Sequence, residues 1–461
     1  MTAHQLQSSP RQGLPTARDV MRVIDQFLVK ANGEMPARVT GPLEIMLRHA
    51  SETPQDRSLV LECLYSIDVD LRDHHHKAKH YEQLTLILIK LQHFILSRRL
   101  ADNGRKTIGI YFPSKAYREH AGTIAQRLRE QGHQVIILVG EVCRDKYEAD
   151  PEVYYGGHNA INDMNFLDAV ICSTLTDGLP KNAKQILMVH DIHDTPVGDE
   201  DAFFRLLRLV DYACLPSRHV VELFRGIAEP RKSQLPAGKH LHLIPNGYIK
   251  LDRTLAHCQR NKQCDPVIIY APTIIDIGLD HLVSLPAHGD IIVDKILREF
   301  PDHVLVFRPH PHTLHMEPTR RIADQFSQNP RFCLDTAGSD YLDLYSRSAL
   351  MVTDMSGTAY TYAMATLRPV VFFSHEEEAV TNQFAESHYF ADRNRVGTVV
   401  KDTQEMTDEI RRLLSQPDHH QQNAKAYRDQ LIYNVGHAED YLIDHFDYIL
   451  AGESHPTWVT I

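Results

Sequence analysis

Two rhythms of apolar and polar positions divide the chain. From Ala17 to about Leu100 apolar residues recur at helical spacing, at Val20, Val23, Ile24, Phe27 and Leu28 and again from Tyr81 to Leu96, with no alternating segment that would read as a strand. Asp102-Asn103-Gly104 breaks that pattern, and beyond it short apolar runs alternate with helical stretches. The runs expected as strands are Thr107 to Phe112, Gln134 to Val139, Ala169 to Cys172, Gln185 to Val189, Tyr212 to Leu215 and Leu241 to Ile244. Helices are expected between them, notably Ala116 to Gln131 and His219 to Phe224. After a polar stretch from Arg253 to Asp265 the rhythm restarts with Val267 to Tyr270, His303 to Arg308, Leu350 to Thr353 and Pro369 to Phe373.

Alternation of this kind predicts mainly parallel sheets covered by helices on both faces. The fold class expected is therefore α/β, with two Rossmann-like lobes joined near residues 250 to 265 and preceded by an N-terminal α-helical region. In boundaries this reads as a helical region over 1–103, a first lobe over 104–252, a second lobe over 253–436 and a C-terminal helix and tail over 437–461. Ligands in such sheets bind outside the carboxyl ends of the strands, so the residues just after each strand carry the functional weight.

Composition narrows the classes. The 461 residues exceed what one core can bury, and 43% hydrophobic with 24% charged residues describes an ordinary globular chain. A net charge of −11 argues against a general nucleic-acid binder, which needs a basic face to displace counterions from phosphates. The seven cysteines form no CxxC pair and read as reduced structural thiols, neither a zinc site nor a secreted framework. Met1 to Thr16 lacks the apolar core of a signal peptide, so a cytoplasmic protein is expected. The most apolar run, Leu84 to Leu96, is interrupted by Lys90, Gln92 and His93 and falls short of the roughly 20 residues that span a bilayer. It is expected as a buried or interfacial helix, core packing being favoured over membrane docking.

Two strand ends carry the candidate chemistry. Val304-Leu305-Val306-Phe307 runs into Arg308-Pro309-His310-Pro311-His312, where a planar guanidinium and an imidazole suit an anion and the prolines fix the turn. Leu350-Met351-Val352-Thr353 runs into Asp354-Met355-Ser356-Gly357-Thr358 and then an apolar helix, so hydroxyls and backbone N–H groups collect at a helix N-terminus, where phosphate is favoured. The plainer alternatives are a rigid turn with surface histidines and an ordinary N-cap by Asp354 or Ser356.

Tyr270-Ala271-Pro272-Thr273, Arg308-Pro309-His310-Pro311, Val352-Thr353-Asp354-Met355-Ser356-Gly357 and Arg368-Pro369-Val370-Val371-Phe372, in that order, resemble the CDP-glycerol glycerophosphotransferase family of teichoic acid and capsule polysaccharide synthesis. Asn246 to Asp252 adds to the likeness, which covers about residues 185 to 450. The resemblance implies a GT-B architecture, two lobes facing a cleft. It implies that Arg308 and His310 meet the donor diphosphate, that Thr353, Asp354, Ser356, Gly357 and Thr358 complete its cradle, and that His190 is the base for the acceptor hydroxyl. His310 is a second catalytic candidate, and Asp191, His193 and Thr273 are candidates for contacting the acceptor or supporting the first residues. The partners implied are a nucleotide-activated donor, CDP-glycerol or a CMP- or UDP-activated sugar, and a polysaccharide or lipid-linked acceptor, with peripheral association at the inner face of the membrane. A glycosyltransferase on the same fold is the alternative activity. No nucleic-acid partner, cofactor or metal is expected, although His310, His312 and His315, or His190, Asp191, His193 and Asp194, are residue types that bind metals.

Overall fold

The computed structural model describes residues 78–100, residues 104–140 except 114–116 and 118–119, and residues 152–461 except 158, 196, 262, 277, 338–340 and 417, together with positions 22, 60, 61, 63, 64 and 67. Most of the expected N-terminal helical region lies outside these residues. Its last helix, Ala78–Arg99, is described. Leu84, Leu88, Leu91 and Leu96 are buried on it. Its polar interruptions turn inward too: the Gln92 amide exchanges two hydrogen bonds with the backbone of Tyr155, at 2.8 and 2.9 Å, and His93 Nε2 meets the Ala160 carbonyl at 2.5 Å. The most apolar run is thus a core helix. Among the described residues no helix is long and apolar enough to cross a membrane.

Among the described residues fourteen strands form two sheets. In chain order they are β1 (Thr107–Phe112), β2 (Gln134–Val139), β3 (Val153–Tyr155), β4 (Ala169–Cys172), β5 (Lys184–Met188), β6 (Tyr212–Leu215), β7 (His242–Pro245), β8 (Val267–Tyr270), β9 (Val304–Phe307), β10 (Phe332–Leu334), β11 (Leu350–Thr353), β12 (Val370–Phe373), β13 (Gly397–Val400) and β14 (Val459–Thr460). The first sheet has the order β14-β7-β6-β5-β4-β1-β2-β3 and the second β10-β9-β8-β11-β12-β13. All pairings are parallel except β14 with β7. Helices cover both faces, so the central strands are apolar along their whole length rather than alternating. Each sheet reverses its winding once, between β1 and β4 in the first and between β8 and β11 in the second. Crevices at such reversals, outside the strand carboxyl ends, are where α/β proteins bind ligands.

Two expected elements differ. Residues 116, 118 and 119 of the helix expected over Ala116 to Gln131 lie outside the described residues, and the helix described there is Ile124–Glu130, which starts after Gly122 takes a left-handed φ of +53°. There the backbone presses so close to Glu439 and Ile249 that a Cβ would lie 1.7 Å from Glu439 Oε1. The polar stretch expected as a linker from Arg253 is mostly the second half of a helix, Ile249–Arg260, that buries Ile249, Leu251, Thr254 and Leu255. This helix bridges the lobes and packs against Tyr341, Tyr345 and Tyr362 in one apolar cluster.

The chain also crosses back. After the helix Asp418–Leu431, the Tyr433 N–H donates to the Pro216 carbonyl at 3.1 Å and the Asn434 amide to the Pro245 carbonyl at 2.8 Å. Helices Ala438–Asp444 and Phe446–Ala451 then bury Leu442, Phe446 and Ile449 in the first lobe's core beside Trp458, and β14 closes on β7.

Candidate active site

The second lobe's reversal point is built around one carboxylate. Asp354, directly after β11, is 1% exposed, and its Oδ1 accepts the N–H groups of Thr273 and Met355 at 2.8 and 2.7 Å. Its Oδ2 accepts the Ser284 N–H and hydroxyl at 2.8 and 2.7 Å. Four donors saturate it, so Asp354 clamps the β8 and β11 ends together and offers a ligand nothing. Thr353 is equally removed, since it is fully buried and its hydroxyl donates to the Ala271 carbonyl at 2.6 Å. Both residues build the cradle from behind instead of lining it. Thr273 lies alongside, with its hydroxyl buried and without a hydrogen-bond partner.

What remains toward solvent is the turn itself. Ser356 is half-buried, Gly357 is exposed, and the helix Thr358–Thr366 starts with no side chain capping its first turn. The uncapped N–H groups and the aligned peptide dipoles there favour an anion. The Thr358 hydroxyl bonds the Tyr345 hydroxyl, which anchors the start of the helix.

The β9 end supplies the neighbouring groups. His310 caps the short 3₁₀ turn Pro311–Thr313, its Nδ1 accepting the His312 N–H at 3.3 Å. That leaves the proton of the neutral ring on Nε2, pointing away from the turn as a donor. Burial, helped by the nearby His312 and Lys250, pushes the His310 pKa down to about 4, so the ring is neutral at physiological pH. Arg308 is more constrained than the sequence suggests, because its guanidinium is ion-paired with Asp335 and stacked within 6 Å of both Tyr341 and Tyr345. Part of its fork is already engaged.

The first lobe faces this with histidines. His190, after β5, donates from Nδ1 to the Ser173 carbonyl at 2.8 Å, which places the lone pair of the neutral ring on Nε2. Asp191 Oδ2 lies 3.8 Å from that Nε2, and both side chains are partly exposed, 37% and 47%. His120 stands behind, its ring centroid 5.8 Å from that of His190 and 5.7 Å from that of Tyr248. Its Nδ1 is buried without a hydrogen-bond partner, and burial, then Lys250 and His190, hold its pKa well below the usual imidazole range. Lys250, on the bridging helix, has its ammonium 5.1 Å from the centroid of the Tyr341 ring, and its charge disfavours protonation of His120 and His310 alike.

His193 does not join this group. It is buried between the lobes, with Nδ1 on Asp194 Oδ1 at 2.5 Å and Nε2 on the Tyr427 hydroxyl at 2.7 Å. Asp194 in turn accepts the N–H groups of His388 and Tyr389 at 2.8 and 2.7 Å. Burial disfavours its charge, but the bonds from His193 and His388 outweigh that and lower its pKa.

The sequence profile of one family, CDP-glycerol:poly(glycerophosphate) glycerophosphotransferase, matches residues 188–445, more than half of the chain and all of the site residues just described except His120 and Ser173. The chain belongs to this glycerophosphotransferase family. No curated protein matches it in sequence. Among solved structures it is similar to the wall teichoic acid polymerase TagF, with a TM-score of 0.57 at 16% identity over 83% of this chain and 98% of that one. The UDP co-structure of S. aureus MnaA is similar at a TM-score of 0.51 and 13% identity, over 76% of this chain and 98% of that one. These likenesses concern the fold, which for this glycerophosphotransferase family member is GT-B: two Rossmann-like lobes across a cleft. Of the cleft residues, His120 carries no signal in the sequence, whereas Tyr248 and Lys250 fall in the Asn246 to Asp252 segment that already marked the family.

Proposed function

We propose that this transferase moves glycerophosphate from CDP-glycerol to a hydroxyl of a poly(glycerophosphate) or teichoic-acid-like acceptor. The acceptor oxygen attacks the phosphorus that bears glycerol, its proton passes to His190 Nε2, and the bond from that phosphorus to the bridging oxygen breaks to release CMP. The observation that carries this reading is the fixed tautomer of His190: the Ser173 carbonyl holds the proton on Nδ1 and leaves Nε2 free to accept another. Asp191, 3.8 Å away, would favour the imidazolium that results.

Across the cleft, the diphosphate is held by the N–H groups from Ser356 to Thr358, by the Nε2–H of His310 and by the charge of Lys250, with Arg308 behind them. Charge builds on the departing phosphate, and donors already aimed there stabilise it without having to reorganise. A lipid-linked acceptor would bring the protein to the inner face of the membrane as a peripheral enzyme.

The test is CMP release from CDP-glycerol in the presence of acceptor. His190→Ala is expected to lower turnover by about 10²- to 10⁴-fold while CDP-glycerol still raises the melting temperature. His310→Ala is expected to lose that thermal shift. Unchanged turnover in His190→Ala would remove the base from the scheme.

A further inference from the structure

A second group of ionisable side chains gathers where the lobes meet, and the transfer reaction does not use it. His193 follows β5, His219 lies in the first turn of the helix Arg218–Ala228, and Asp392 comes from the second lobe, between the short helices His388–Ala391 and Arg393–Val396. His219 Nε2 and His193 Nε2 approach the same oxygen, Asp392 Oδ2, at 3.3 and 3.9 Å, and one ligand atom from each of the three lies within 4.8 Å of the others. In a tetrahedral site with bonds of about 2.0 Å, ligand atoms stand roughly 3.3 Å apart. One pair therefore already has the spacing, and the set needs only to draw slightly inward.

The far side of each ring is equally informative. His193 Nδ1 bonds Asp194 at 2.5 Å, and His219 Nδ1, buried and without a hydrogen-bond partner, points toward Glu222 Oε2 at 3.6 Å. A carboxylate lies on the Nδ1 side of each ring, and the Nε2 of each ring faces Asp392. This is how histidine ligands of metals are oriented and made more basic. The Tyr427 hydroxyl, 2.7 Å from both His193 Nε2 and Asp392 Oδ2, stands at a further corner of the same space. The rings of Tyr360, Tyr389 and Tyr427 surround His193 with centroids 4.6, 5.9 and 6.3 Å away, which shields that ring from water.

We propose that His193, His219 and Asp392 bind a divalent transition-metal ion that ties the two lobes together, with zinc favoured by two imidazoles and one carboxylate. This goes beyond the transfer reaction, in which the metal takes no part. An outer trio, His219, Glu222 and His388, shares one histidine with the site but lies nearer solvent, and His388 stacks flat on His219 at 4.0 Å.

The experiment is a cobalt(II) titration of the full chain after chelator treatment, read by the visible absorption of a tetrahedral cobalt centre and reversed with zinc. A single equivalent is expected to bind, and zinc is expected to raise the melting temperature. His219→Ala and Asp392→Asn are expected to abolish the band while His388→Ala retains it. Glu222→Gln, at a side chain 69% exposed and so no threat to folding, is expected to weaken binding about 10- to 100-fold. A chain with no cobalt band, or a band that persists in His219→Ala or disappears only in His388→Ala, overturns the site.

Discussion

The Tyr248 hydroxyl donates to the His190 carbonyl oxygen at 2.5 Å, so the residue that starts the bridging helix holds the turn that carries the proposed base. Tyr248 is buried, and burial followed by the nearby Asp191 raises its pKa far above the usual tyrosine range, which keeps it a donor at any working pH. Tyr248→Phe removes one buried hydrogen bond and is expected to cost about 1 kcal/mol of stability. Because the lost bond fixes the base and not the donor cradle, turnover is expected to fall while CDP-glycerol affinity stays. Denaturant melts and a separate binding titration distinguish the two effects.

Asp354 was a ligand candidate in the sequence and is a clamp in the structure. Asp354→Ala would orphan the N–H groups of Thr273, Met355 and Ser284 and leave the Ser284 hydroxyl with only Tyr270. Each buried unsatisfied donor costs about 1–3 kcal/mol, so a loss of at least about 3 kcal/mol is expected. Ser284→Ala, which leaves the carboxylate three donors but also takes the partner of the buried Tyr270 hydroxyl, is expected to cost about 1–2 kcal/mol. Equal losses for the two variants in equilibrium unfolding would show that Asp354 does not hold the crevice together.

His310 gives a pH signature of known sign. Its pKa in the folded chain is lowered to about 4 from 6.5, so folding favours the neutral ring. The stability this contributes is present above 6.5 and is lost as pH falls toward 4. A bound diphosphate reverses the preference, because an anion beside Nε2 stabilises the imidazolium. Histidine titration by NMR is expected to show a low pKa for His310 without ligand and a higher one with CDP. An unchanged value on binding would mean that the phosphate does not reach His310.

Gly247 lies where the two crossings between the lobes meet. Its φ is +93°, and a Cβ there would stand 2.4 Å from the Tyr433 carbonyl oxygen, where the returning chain passes. Gly247→Ala combines a left-handed backbone penalty of about 1–2 kcal/mol with that clash. The variant is expected to melt several degrees lower, and Gly357→Ala, where nothing lies within 4 Å, to stay near the parent. A parent-like melting temperature for Gly247→Ala would mean that the crossing is loose.

Both sheets were legible because their central strands are buried on two faces and so read as unbroken apolar runs such as Val135 to Val139 and Val370 to Phe373. The strands that escaped are short or marginal. β3 has three residues, β10 is only partly buried, β14 has two residues, and β13 opens on Gly397, whose Cβ would meet the Val370 carbonyl at 2.1 Å. In the site, sequence located the turns but not the direction of their side chains. Thr353 ends a strand and Asp354 follows it, as ligand residues do, and only their burial shows them turned inward. His193 was legible as a candidate, but its partner Tyr427 lies 234 residues away, so its place between the lobes was not.

The bridging helix Ile249–Arg260 and the return past Tyr433 and Asn434 form two parallel crossings, held side by side by Asp252, which accepts the N–H groups of Gly436 and Ala438 at 2.6 and 2.8 Å. A single tether would let the lobes swivel in any direction. A pair of tethers laced together behaves like the spine of a book: it permits opening and shutting about one axis and resists twisting. CDP-glycerol and the acceptor would therefore be brought into register each time along the same arc, so that alignment for in-line displacement is inherited from the paired crossings.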